Sequence, residues 1–170
     1  MERKFTFKIS VIIILMVLSC SGFLLLKKQV YRLKKEIEVL NLKILSEYDT
    51  LAGITSNITL EILNLSQPES VKAVIQSFYR PLGKYDVQFS KAIKSGDYDL
   101  AIYLMNKRVG KFFEIINYGW EYVPSFKSDT SFLSRLSQIS PLEEKIDSLM
   151  TVARKKKEKL YILSKLTFSN

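Results

Sequence analysis

The chain has 170 residues, about what one domain takes, and its six Gly and four Pro are too few for the frequent turns of a sandwich or barrel. It contains no His, which removes His-based acid–base chemistry, Ser–His and Cys–His pairs and nearly every zinc or haem site. The charge of +9, from 26 basic and 17 acidic residues, favours anionic partners, nucleic acid or an acidic lipid surface.

Residues Ile9 to Leu26, ISVIIILMVLSCSGFLLL, carry no charge. A run of about 18 apolar residues is the lower end of what spans a bilayer as a helix. Arg3, Lys4 and Lys8 precede it and Lys27 and Lys28 follow it, cationic flanks that anchor a span in the two headgroup layers. A core helix would carry a polar stripe, and this run has none. The expectation is an N-terminal anchor over residues 1–26 and a body over 27–170. The same stretch also has the parts of a secretory leader, and Val17-Leu18-Ser19-Cys20 is a loose lipobox that would place a lipid on Cys20. Leu18 stands where such a site takes a small residue, and Phe23 to Leu26 prolong the apolar run beyond the Cys, so an uncleaved anchor is the favoured reading. The count of basic residues leans toward the C-terminal side, Lys27, Lys28, Arg32, Lys34 and Lys35 against three, which favours a cytoplasmic body without settling the orientation.

Beyond the run, Val30, Leu33, Ile37, Leu40, Ile44, Tyr48, Leu51, Ile54, Ile58, Ile62 and Leu65 recur at a mean spacing of about 3.5, the coiled-coil period. A helix over Lys27–Leu65 would extend about 60 Å. Homo-oligomers through this helix are left open. Gly53 and the Thr and Asn residues between Thr50 and Asn57 predict a bend or break. Pro68 is the first firm stop, with Ser66 as cap for a helix over Glu69–Arg80 that turns Val71, Val74, Ile75 and Phe78 inward. After Pro81 and Gly83 the pattern resumes over Tyr85–Lys94, with Val87, Phe89 and Ile93 inward, until the Ser95-Gly96-Asp97 turn.

Tyr98 to Tyr122 forms the next helix, with Ala101, Leu104, Met105, Phe112, Ile115 and Ile116 on one face. Its aromatic residues Phe112, Phe113, Tyr118, Trp120 and Tyr122 suit core packing better than a ligand pocket. Pro124 and Ser128-Asp129 mark a turn before a helix carrying Phe132, Leu133, Leu136 and Ile139. Ser140-Pro141-Leu142-Glu143 reads as a restart, with Ser140 as N-cap and Glu143 as capping-box acid. Leu142, Ile146, Leu149, Ala153, Leu160 and Leu163 continue the stripe. None of these helices buries its stripe alone, and short connections favour stacking them as an antiparallel bundle of about four helices, all-α throughout.

The stretch Val123-Pro124-Ser125-Phe126-Lys127, followed by Phe132, Leu133, Gln138 and Leu142-Glu143-Glu144-Lys145-Ile146, resembles the LemA family of bacterial membrane proteins. That family carries a tyrosine-proline-x-leucine-lysine turn, a phenylalanine and a leucine-glutamate-x-x-isoleucine helix. An N-terminal membrane helix followed by a long helix is similar too. Val123 departs from the family's tyrosine, and its arginine-x-x-tyrosine-asparagine pattern and phenylalanine-proline tail are not found. The resemblance covers about 26 residues well and the layout of most of the chain. It implies a membrane-anchored helical bundle in a bacterial cell membrane, with Pro124, Phe126, Lys127, Phe132, Leu142, Glu143 and Ile146 as structural motif residues.

No catalytic chemistry is expected. Glu143 and Glu144 read as first-turn acids that complement a helix dipole, and Glu36 and Glu38 as members of a solvated face. Asp97 and Asp99 lack the spacing of a calcium loop, and no phosphate-binding glycine loop is present. No cofactor, metal or nucleic acid is expected. The expected partners are membrane lipid and unidentified proteins held by a scaffold or adaptor; the alternatives are an envelope lipoprotein lipidated at Cys20 and, from the heptads of the first long helix, a bitopic coiled-coil component of a cell-envelope complex. The basic run Arg154, Lys155, Lys156, Lys157 and Lys159 would, with Lys27 and Lys28, form a collar against the bilayer if the last helix returns to the membrane.

Overall fold

The computed structural model describes residues 2–66, 69–123 and 127–168, with side chains from residue 21 to residue 166. Among the described residues there are six helices and no strand: α1 (Glu2–Leu65), α2 (Glu69–Tyr79), α3 (Leu82–Ser95), α4 (Tyr98–Tyr122), α5 (Thr130–Leu136) and α6 (Ile139–Phe168). The fold is all-α, a helical bundle. Four of the helices have fourteen residues or more, and the short α2 and α5 lie between them in sequence. The chain divides into two compact units, residues 1–38 with 155–170, and residues 39–154.

The larger unit holds the core. From α1 it takes Ile44, Tyr48, Leu51, Ile58 and Ile62; from α2, Val71 and Ile75; from α3, Leu82, Phe89 and Ile93. The α4 stripe predicted from spacing is buried as a whole, and Phe132, Ile139, Ile146, Met150 and Ala153 complete the cluster. The 3.5-residue seam of α1 is therefore covered by its own chain from Ile44 to Ile62. Gly119 lets α4 approach α1 closely, since a Cβ there would lie 2.6 Å from Cγ2 of Ile62.

The helix ends follow local chemistry. Gly96 takes φ 73°, which costs a glycine nothing. It closes α3 in a Schellman motif, with Gly96 N donating to Ile93 O at 3.0 Å and Asp97 N to Ala92 O at 2.8 Å. Asp97 then caps α4 by accepting from Leu100 N at 3.1 Å, and Asp129 caps α5 by accepting from Ser131 N and Phe132 N.

Several expectations are corrected. α1 runs unbroken through Gly53. Thr55, one of the residues expected to weaken it, is buried and donates its Oγ1 to Leu51 O at 2.8 Å, and Thr59 beyond that stretch donates likewise to Thr55 O at 2.8 Å. Ser66 does not cap α2, because its hydroxyl donates back to Ile62 O at 2.6 Å and finishes α1. α3 starts at Leu82, three residues earlier than Tyr85, and leaves Val87 exposed. α6 starts at Ile139, so Ser140 and Pro141 lie within its first turn and Glu143 beyond it, in no capping box. Pro141 is tolerated because the first N–H groups of a helix have no partner to lose. Leu65, the last residue of the α1 pattern, is exposed.

Candidate functional site

Two groups of charged residues stand out, a buried one that sequence reasoning missed and the basic run that it singled out. The missed one is Arg108. It sits on the buried stripe of α4, one helical turn from Leu104 and from Phe112, and its side chain is fully buried. Its Nε donates to Asp86 Oδ1 of α3 at 2.5 Å, and Nη1 donates to Thr55 Oγ1 of α1. Nη2 reaches Ala52 O at 3.2 Å and Ser56 Oγ at 3.3 Å. Tyr48 completes the group by donating its hydroxyl to the same Asp86 oxygen at 2.7 Å, while its ring stacks on Phe89 at 3.7 Å. Burial, then the charge of Asp86, push the Tyr48 hydroxyl far above its ordinary pKa. It is a neutral donor at any physiological pH.

This network ties α1, α3 and α4 together. Its guanidinium donors point at groups of the chain itself, so what it does is fix helix register. A polar residue repeating at the apolar spacing of α4 was the mark by which the sequence could have revealed it.

The expected constellation is the basic collar. Lys155, Lys156, Lys157 and Lys159 share the smaller unit with Lys27 and Lys28. Lys156 donates to Glu36 Oε2 at 2.6 Å, and Arg32 donates to Glu36 Oε1 at 2.8 Å. These two bonds, that of Lys156 first, hold the Glu36 carboxyl below the usual carboxylate range. Lys27 places its Nζ 4.5 Å from the Phe23 ring centre, and Lys28, Lys155, Lys157 and Lys159 are exposed. Arg154 falls in the larger unit, where it pairs with Asp99 at 2.8 Å.

Of the motif residues, Phe132 and Ile146 are buried, Leu142 and Glu143 half-buried and Lys127 exposed. Burial raises the Glu143 carboxyl above its ordinary value, the opposite of what a helix-start acid would show. Pro124 and Phe126 lie outside the described residues, and so do the side chains of the apolar run as far as Cys20. Among the described residues no helix is long and apolar enough to cross a membrane, and no group of three His, Cys, Asp or Glu side chains is placed to hold a metal ion.

The aromatic residues of α4 scatter rather than converge. Phe112 is buried, Tyr118 and Trp120 are half-buried, and Phe113 and Tyr122 are exposed. A depression of about 420 Å³ along α4, lined by Tyr103, Lys107, Gly110, Lys111 and Glu114, is separate from the buried network. No protein-family model matches the sequence, and no characterised protein or solved structure is significantly similar to it.

Proposed function

We propose that the protein is a single-pass, LemA-like membrane protein of a bacterial cell membrane, whose helical body is a cytoplasmic scaffold for other proteins. The observation that carries this is the uncharged run Ile9–Leu26 between cationic flanks, joined to a body built as a helical bundle. The body supports an interaction role better than a catalytic one. Its buried charge, Arg108, is spent on internal register, and its exposed apolar side chains, Val39, Leu42 and Leu60 on α1 and Leu100 and Tyr103 on α4, are available to partners. Lipid contact through the collar orients the body against the bilayer. With the α1 seam already covered, the exposed residues Val39 and Leu42 are the better surface for any self-association.

Membrane fractionation tests the anchor. The full-length chain should resist high salt and alkaline carbonate and yield to detergent, and release by salt overturns the reading. The Val17-Leu18-Ser19-Cys20 stretch favours one second reading, an envelope lipoprotein. Mass spectrometry of the mature N-terminus separates the two: an intact Met1 end supports the anchor, a lipidated Cys20 the lipoprotein. Cys20→Ser should leave attachment unchanged if the helix is the anchor. Cross-linking in native membranes followed by pull-down then identifies the scaffolded proteins.

A further inference from the structure

The end of α6 is unusually apolar for a surface helix. Tyr161, Ile162 and Leu166 are 60%, 60% and 58% exposed, while Leu160 and Leu163 are half-buried on the side that carries Lys156. In the same compact unit Leu24, Leu25 and Tyr31 of α1 are 67%, 63% and 71% exposed. Exposed apolar side chains gathered this closely mark a surface that something covers.

The geometry of this unit says where they lie. Glu36 and Lys156 pin the two segments together where α1 is about to leave the unit and α6 has just entered it. From that pin α6 runs back along α1. The helix from Lys156 to its end at Phe168 spans about 18 Å, and the same length back from Glu36 reaches Leu24. The last turns of α6 thus lie level with Lys27, Lys28 and the end of the apolar run. Their charge fits a bilayer surface: Lys155, Lys156, Lys157, Lys159 and Lys165 accompany the single acid Glu158. A second copy would bring the same cations to the same face and be repelled. Lys165 sits 4.6 Å from the Tyr161 ring centre, an aromatic–lysine pair of the kind that settles at headgroup level, as Lys27 with Phe23 does on α1.

We propose that the end of α6 seats Tyr161, Ile162 and Leu166 in the headgroup layer of an anionic leaflet beside the exit of α1, a second and non-spanning contact with the same membrane. This rests on the reading of Ile9–Leu26 as a membrane span.

The test uses the full-length chain with Cys20→Ser, reconstituted in vesicles of phosphatidylcholine and phosphatidylglycerol. A single environment-sensitive label is placed through Ile162→Cys and, in a companion protein, through Val152→Cys, an exposed α6 position in the larger unit. The label at 162 should emit further to the blue, be quenched several-fold less by aqueous iodide than the label at 152, and be quenched by lipids carrying a shallow nitroxide. Equal iodide access at the two positions, in a chain that still resists carbonate, overturns the proposal and leaves the anchor standing. Self-quenching at 162 that unlabelled protein relieves would assign the face to a second copy and overturn it too. Extraction by carbonate would instead defeat the anchor, and the proposal with it. Because these side chains are exposed, Tyr161→Ser and Leu166→Ser together should leave helicity and carbonate resistance unchanged while raising iodide access to the label at Ile162→Cys. No change in that access overturns the proposal.

Discussion

Arg108 and Asp86 form an ion pair of unequal members: the guanidinium is wholly buried, while a third of the carboxylate side chain still meets solvent. Removing either partner is therefore not symmetric. Asp86→Ala leaves a buried positive charge with only neutral acceptors and should cost about 3 kcal/mol. Arg108→Met leaves a carboxylate that turns to water and keeps the Tyr48 hydrogen bond, and should cost about 1–2 kcal/mol. Denaturant midpoints of the two variants in mild detergent check the order. Equal losses would show that the pair behaves as an ordinary surface bridge.

Gly119 predicts a packing effect of similar size. The methyl of Gly119→Ala would meet Ile62 Cγ2, a branch next to the backbone of a fully buried residue, which no rotation of a long side chain relieves. Overpacking of this kind costs about 1–3 kcal/mol. Ile62→Ala removes the obstructing branch, so the double variant should be more stable than the sum of the two single losses predicts. Simple additivity in that cycle would place the cost elsewhere.

These two residues also show where sequence reading ends. The apolar stripe of α4 could be read off its spacing because each member is buried for the same reason. Arg108 shares that spacing, but only the fold supplies Asp86 and Thr55 to receive it. Gly119 reads as a weak helix position until Ile62 is known to face it. Gly53 misled in the other direction: its propensity cost of about 1 kcal/mol is local, whereas Leu51 and Ile58 on either side bury fully and hold the helix through it. Ser140-Pro141 has the residue types of a helix start, yet burial of Ile139 draws the start two residues earlier, from Pro141 to Ile139. Tertiary packing decided each case where local chemistry allowed two answers.

Two carboxylates should respond to pH with opposite sign. Glu61 is held below its ordinary pKa mainly by the paired hydrogen bonds from Arg135, at 2.5 and 2.7 Å. Its contribution is present above the unfolded carboxylate value and disappears as pH falls through the lower folded value. Both side chains are partly exposed, so the loss is small and salt-sensitive. Glu143 is raised by burial, so its contribution is full at acid pH and is lost as pH rises through the folded value. Glu143→Gln should therefore stabilise the protein at pH 7 and leave it unchanged near pH 3, while Glu61→Gln should destabilise at pH 7 and fade on acidification. Thermal melts across that range decide both, and parallel curves for the two variants would contradict the assignment.

The collar makes the last prediction, and its members differ in what they do. Lys156 is half-buried and bonded to Glu36, Arg154 pairs with Asp99, and Lys155, Lys157 and Lys159 lie at the exposed surface of the same run. A Lys near an anionic leaflet gains about 1 kcal/mol, so replacing those three with Gln should lower the binding of a body beginning at Lys27 to phosphatidylglycerol-containing vesicles on the order of a hundredfold at low salt. The effect should shrink as salt rises and screens the attraction over about 10 Å. Lys156→Gln should weaken binding less. It should also free the Glu36 carboxyl to move back toward its ordinary pKa, which NMR titration of that side chain would register. Helicity should be unchanged in all of these variants, because surface ion pairs contribute only about 0–1 kcal/mol. Vesicle binding that ignores both salt and the triple substitution would show that the collar does not face the membrane. Attachment would then rest on apolar contact alone, and the lysines would serve only to keep the end of α6 in solution.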